Sequence, residues 1–281
     1  MRHLRLLILM LILLVPIGLN RTEVLAQGRS MRFAFVLLSE PRLPKGEDVV
    51  RSFSAFGTKG QRVQLSKSEQ KADSEILEFE LSPNGKAFVM LLPTAVPNGE
   101  ADDAVRFSLS AMGTGWKLPK HKAHLIVTCD CSGSPLESLS LLTSLLGAVV
   151  EASSAVGIYW GAASATHDPK FFLETAREPD IGFRIMLWTG VSMAREADGR
   201  VSLLSLGMDQ LNLPDLLLVA PKSAGNSALE AFFNFLTYVA NRGKPLPEGD
   251  TIGRSATEKL RVQYVPSPLD QKTKVWRVEI E

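Results

Sequence analysis

The chain has 281 residues, 45% of them hydrophobic and 22% charged, with a formal net charge of +1. That balance is too apolar for a disordered chain and long enough for one large core or two small ones. Acidic and basic residues are interspersed with no Lys/Arg stripe, which argues against nucleic acid as a partner.

The N-terminus reads as a leader. Arg2 and Arg5 precede Leu6–Leu19, fourteen residues without a charge, the length of a signal-peptide core and short of the twenty or so that span a bilayer. Val24 and Ala26 set small side chains before a cleavage point after Ala26. Losing three arginines and one glutamate with residues 1–26 takes the net charge from +1 to −1. The expectation is an exported protein, periplasmic or extracellular, with no stable membrane span in the mature chain. The alternative is translation from Met31, which opens a credible first strand and makes the protein cytoplasmic.

Downstream, residues 32–39 form an apolar run of strand type, and 45–57 place Val49, Val50, Phe53 and Phe56 at helical spacing. The polar stretch 58–74 reads as a loop, 75–81 and 86–92 as strands about a turn at 83–85, 99–112 as a helix and 121–129 as a strand. This β-α-β-β-α-β order is that of a split βαβ, or ferredoxin-like, unit. The remainder reads as a helix at 135–153, a strand at 155–160 and a helix at 168–177. A hairpin follows, 183–196 with 200–207 about the turn 197–199. Then come a strand at 215–221, a helix at 227–243 with Ser227 and Glu230 as capping box and Gly243 as stop, and strands at 259–266 and 274–280. The expected fold is α+β: two ferredoxin-like halves, 31–129 and 130–281, packed as one body.

The stretch "CDCSGSPLES", 129–138, invites a redox or metal reading. Ser134, Pro135 and Glu137 explain its second half as a helix start. Cys129 and Cys131 share a strand face, but i and i+2 positions rarely meet disulfide geometry, and no further cysteine exists to complete a zinc site. The expectation is a pair of small buried thiols at a strand-to-helix corner.

The most site-like segment is "GIYWGAASATHDP", 157–169. Small loop residues admit a ligand beside Tyr159 and Trp160, and the loop ends at His167 and Asp168. With His124 these make the candidate site: His124, Tyr159, Trp160, His167 and Asp168. The same residues also read as core aromatics, a core histidine bonded to backbone, a tight connection and a helix N-cap. Pairing His124 with His167 for acid–base chemistry requires that the fold bring them together. "EGDTIGRS", 248–255, is rich in turn formers without a phosphate-loop pattern. G-x-S-x-G, H-E-x-x-H and a Walker lysine are all missing, so no cofactor or metal site is expected.

The motifs "KHKAHLIVT", "AVGIYWG", "HDPKFF", "RVSLLSLGMDQLNLPDLLL", "EGDTIGRSATEKLRVQYVPSP" and "KVWRVEI" occur in the order found in an uncharacterised bacterial family, catalogued as domain of unknown function 4261. The chain resembles that family over roughly residues 31–281, most clearly from 121 onward. His124, Tyr159, Trp160, Gly161, His167, Gly207, Asp250, Gly253 and Pro266 look characteristic of it, without an assigned role. The cysteine pair and the leader are departures. The resemblance implies no established activity or cofactor. The reading is a non-enzymatic binding or protein-interaction module, with a protein partner of unstated identity. Its rival is an uncharacterised enzyme, with hydrolysis as the candidate chemistry, acting through the five candidate residues.

Overall fold

The computed structural model describes residues 29–71, 74–83 and 85–281, so the leader lies outside the described residues. Three strands follow the sequence pattern closely: β1 (Arg29–Leu38), β4 (Gly85–Leu92) and β5 (Ala123–Ser132). They join β2 (Arg62–Lys71), β3 (Ser74–Ser82), β6 (Ala155–Trp160) and β7 (Ala165–His167) in one sheet of order β2-β3-β4-β5-β1-β6-β7, all neighbours antiparallel. β2 occupies the stretch expected to be a loop. It is an edge strand whose only inward apolar residues, Val63 and Leu65, are half-buried, so it carries none of the apolar run that marks an interior strand.

One face of this sheet is packed by helices. α1 (Gly46–Phe53) follows β1, and α4 (Pro135–Glu151) joins β5 to β6. α4 starts as its sequence requires, on a reciprocal cap: Glu137 N donates to Ser134 Oγ at 3.2 Å and Ser134 N to Glu137 Oε2 at 2.8 Å. Thirteen of its seventeen residues are buried, which explains why it lacks a polar stripe: it is enclosed on every side. Gly147 lies against the Phe56 ring so closely that a Cβ there would sit 2.5 Å from it.

Residues expected as one helix over 99–112 are short turns instead: α2 (Glu100–Asp103), a 3₁₀ turn at 104–107, and α3 (Leu109–Thr114). Ser108 breaks the run with an extended backbone and a buried side chain. α5 (Pro169–Arg177) is capped by Asp168, as its sequence implies. The apolar run 183–188, read as a strand, is helix α6 (Ile181–Trp188), started by Asp180, whose carboxylate accepts from Gly182 N at 2.6 Å. A short run apolar at nearly every position has no period to separate strand from helix.

The second sheet has the order β13-β14-β10-β9-β8. Its members are β8 (Gly190–Arg195), β9 (Val201–Leu206), β10 (Leu216–Ala220), β13 (Gln263–Pro266) and β14 (Lys274–Glu279). β10 and β14 are parallel and α7 (Gly225–Arg242) lies in the connection between them. α7 begins two residues before the expected cap, and Ser227 Oγ donates to Ala224 O at 2.7 Å rather than capping a backbone N–H. Its end is as expected, with Gly243 at φ 65°. A small pair, β11 (Thr251–Ile252) and β12 (Leu260–Arg261), lies between α7 and β13. The architecture is thus α+β. A single apolar cluster runs from Ala34 on β1 to Val278 on β14.

Cys129 and Cys131 are joined by a disulfide, with Cα atoms 5.6 Å apart, inside the usual range for such a bond. This differs from the expected free thiols. Both residues face the helical side of β5 and are buried, so the two side chains project into the same space.

The helices meet on Arg184 of α6. Its guanidinium is enclosed and has no carboxylate partner among the described residues. Nε donates to Glu178 O at 2.9 Å. Nη1 donates to Ser140 O at 2.9 Å and Ser140 Oγ at 2.7 Å. Nη2 donates to Phe56 O at 2.7 Å and Ala176 O at 3.0 Å. Burial lowers its pKa to about 10, which leaves it cationic at neutral pH. Replacing Arg184 by Met keeps the volume and strands these acceptors. The expected loss is about 3–5 kcal/mol of unfolding free energy, read from chemical denaturation midpoints at constant slope. Arg184→Lys is expected to recover only part of it, since one ammonium cannot reproduce the fork.

Candidate functional site

Pairing register decides which candidate side chains meet. Leu37 stands opposite His124 on β5 and Gly157 on β6, and Phe35 opposite Tyr159. His124 and Tyr159 therefore share the outer face of the first sheet. Ile158 stands opposite His167, so Ile158, Trp160 and His167 share the inner, helical face. The two histidines are on opposite sides of the sheet, and no acid–base couple forms between them.

On the outer face, His124 Nδ1–H donates to Thr94 O at 2.7 Å, and burial lowers its pKa against the pull of that bond. Its ring meets the edge of Phe35 at 5.7 Å, and Phe35 stacks on Tyr159 at 5.6 Å. Burial, then the charge of Glu100, raises the Tyr159 hydroxyl pKa. His121 Nε2 accepts from Val96 N at 3.1 Å. These contacts fasten residues 94–101 over one end of the face. Toward the start of β1 the same face is open, with Met31, Phe33 and Phe88 exposed.

On the inner face, His167 Nε2 lies 3.0 Å from Leu187 O, which only accepts, so the ring proton is on Nε2. Nδ1 then accepts from Ser108 Oγ at 2.9 Å, Ser108 from Ser110 at 2.8 Å, and Ser110 Oγ from Asp168 N at 3.1 Å. Asp168 caps α5 with its carboxylate and enters this chain through its backbone. A serine hydroxyl on a histidine nitrogen is the start of a nucleophilic pair. Here both are fully enclosed, and burial pushes the imidazole pKa down to about 4. Trp160 Nε1 donates to Gln210 Oε1 at 2.8 Å, and Gln210 Nε2 donates to Trp188 O at 3.1 Å and Gly207 O at 2.9 Å. Ser108, Ser110 and Gln210 were not singled out in the sequence. Small polar residues at these positions read as ordinary helix or turn residues, and only the fold makes them partners.

An open groove of about 520 Å³ runs between α7 and the loop after β11. Ala231, Phe235 and Ile252 contribute its apolar lining, and Glu230, Asn234, Tyr238 and Arg254 are among its polar groups. Arg254 is held by Glu258: its Nε donates to both carboxylate oxygens at 2.9 Å, and its backbone N donates to Oε2 at 2.6 Å. That pair raises the arginine pKa and lowers that of the glutamate.

Residues 204–279 match the family model described as domain of unknown function (DUF4261). The whole groove falls within this DUF4261 segment, as do Gly207, Asp250, Gly253 and Pro266, whereas His124, Tyr159, Trp160, Gly161 and His167 lie outside it. Neither the curated proteins nor the solved structures contain a match to the chain. Within the DUF4261 segment, Gly253 is required by space: a Cβ there would sit 2.2 Å from Glu258 O. This contact and the Arg254–Glu258 pair give the loop its shape. Among the described residues, no group of three or more His, Cys, Asp or Glu is placed to hold a metal ion, and no helix is long and apolar enough to cross a membrane.

The segment also contains Asp215, half-buried just before β10, where it accepts from Ser205 Oγ at 2.8 Å and Met208 N at 3.1 Å. Burial raises its pKa to about 6 despite those donors. Its stabilising contribution is complete below its unfolded pKa and is lost as pH rises toward 6. His167 behaves oppositely: its contribution is complete above its unfolded pKa and is lost as pH falls toward 4. Between pH 4 and 6 each changes stability by about 1.4 kcal/mol per pH unit, in opposite directions. Asp215→Asn is therefore expected to fall in stability on acidification through that window, and His167→Gln to gain relative to its own value at pH 6. Denaturant unfolding at half-unit pH steps reads the slopes. Parallel profiles for both variants and the parent would refute the assignment.

Proposed function

We propose that the protein is a binding module whose ligand seat is the groove between α7 and residues 251–254, and that it works without catalysis. The observation that carries this reading is the contrast in access. The groove is open, its loop is held in shape by the Arg254–Glu258 pair, and it lies in the family-matched segment. Of the five residues with most chemical promise, four are divided between two faces of a sheet and Asp168 caps α5; His124, Trp160 and His167 are buried.

One contact favours a hydrolase instead, the 2.9 Å approach of Ser108 Oγ to His167 Nδ1. That reading requires an opening of the 104–114 segment to admit substrate.

We also propose export, with cleavage after Ala26. The support is the Leu6–Leu19 leader together with the Cys129–Cys131 disulfide, a bond that persists in oxidising compartments. As to finer architecture, we propose a ferredoxin-like unit within the first sheet. It is supported by the order β4-β5-β1-β6 with α1 after β1 and α4 between β5 and β6. Since α4 and β6 of the segment 130–281 complete this unit, a duplicated counterpart is proposed only for the part of that segment beyond β7, on element inventory alone.

Asn234→Trp fills the groove from an exposed helix position. Ligands selected from a random peptide display library on the parent protein are expected to lose binding to this variant, with unfolding midpoints unchanged. Ligands held equally by both place the seat elsewhere. Labelling of Ser108 by a fluorophosphonate would establish the hydrolase instead. Intact mass of the native protein from an envelope fraction is expected to show a chain starting at Gln27, with no uptake of iodoacetamide under denaturing conditions until a reductant is added. A cytosolic chain starting at Met31 with two alkylated thiols overturns the export proposal.

A further inference from the structure

Resting on the groove as the ligand seat, its charge and length point to what it takes. Glu230 lines it with no ion-pair or hydrogen-bond partner among the described residues, and Asn234 is likewise without a side-chain partner. The positive charge of Arg254 is already answered by Glu258, so the open groove carries one uncompensated negative charge. Beside that carboxylate are the half-buried Ile252 and the exposed ring of Tyr238, over a floor to which the buried Ala231 and Phe235 contribute. A carboxylate next to an apolar strip and an aromatic face matches a long cationic side chain, whose stem packs while its head pairs. From Ser227 to Tyr238 the helical wall is roughly 16 Å long, the span of about five residues of extended chain. That is longer than one lysine or arginine needs.

We propose that the groove binds an extended peptide segment of a partner protein through a lysine or arginine side chain. The cation pairs with Glu230, its aliphatic stem lies on Phe235 and Ile252, and Asn234 hydrogen-bonds the peptide backbone.

The test uses the protein from residue 27 onward and capped pentapeptides carrying a central Lys, Arg, norleucine or Glu, with n-butylammonium as a cation that has no backbone. Binding is followed by amide shift perturbation at 230–238 and 251–254. The Lys and Arg peptides are expected to bind, and Glu230→Gln to weaken them by up to about fivefold. Norleucine is expected to match that residual affinity on the parent. Glu230→Lys should reverse the preference toward the Glu peptide. Equal binding of all four peptides, abolished by Asn234→Trp, overturns the cationic class while leaving the groove as the seat. Butylammonium binding as tightly as the lysine peptide overturns the peptide assignment. Shifts that appear only outside these residues, and survive Asn234→Trp, overturn both.

Discussion

A single buried cation organises the helical layer. Arg184 is enclosed among α4, α5, α6 and the turn after α1, yet no carboxylate of the described residues pairs with it. Its partners explain how this is tolerated. Ala176 O belongs to the last turn of α5 and Glu178 O lies just past it, where carbonyls have no helical partner and the helix dipole is negative. Phe56 O lies in the turn after α1. The guanidinium thus supplies donors to the carbonyls at the end of α5 and shares Phe56 O and Ser140 O with Ser144 Oγ. The same fork that satisfies them fixes how closely the helices stand, and hence how tightly Gly147 must pass Phe56.

The second constraint is the alternation of side chains across the first sheet. It assigns His124 and Tyr159 to the face roofed by residues 94–101, and Trp160 and His167 to the face under the helices. Each histidine then makes the bonds available on its own side. His124 donates to Thr94 O, and His167 donates to Leu187 O while accepting from Ser108. Both are held in one tautomer by backbone carbonyls, and burial disfavours the charged form of each. A base kept neutral and walled off from solvent serves as a fastener: one pins the roof, the other ties the 104–114 segment to α6.

Much of this was legible in the sequence where local chemistry fixes structure. The start of α4 at Ser134, the Asp168 cap and the Gly243 stop each depend on residues within one helical turn. The strands 32–39, 86–92, 121–129 and 155–160 show themselves by apolar runs that only an interior strand needs. What escaped depends on partners far along the chain. β2 is polar because it is an edge, and 183–188 is helical because Arg184 has acceptors waiting on three other elements. The Cys129–Cys131 bond was judged improbable from spacing alone, whereas the outcome turns on where two inward side chains meet on β5. Of the candidate residues, His124, Trp160, His167 and Asp168 take part in hydrogen bonds, and Tyr159 stacks on Phe35. Which face each would occupy follows from strand pairing, which sequence periodicity does not specify.

The difference between α4 and α7 bears on the seat proposed for a ligand. α4 is buried around its circumference, so any change on it is felt by the core. α7 divides its surface: Ala228, Phe232, Leu236 and Val239 face the interior, while Glu230, Asn234 and Tyr238 line the groove. Substitutions on that outer stripe leave the packing of the inner one intact. The loop opposite is fixed by the Arg254–Glu258 pair and by the space Gly253 leaves, neither of which involves the groove's own walls on α7. A seat built in this way can change its ligand preference through a few exposed side chains without disturbing the fold. No such freedom exists at His167 or Trp160, where each polar atom is already committed to a partner inside the body.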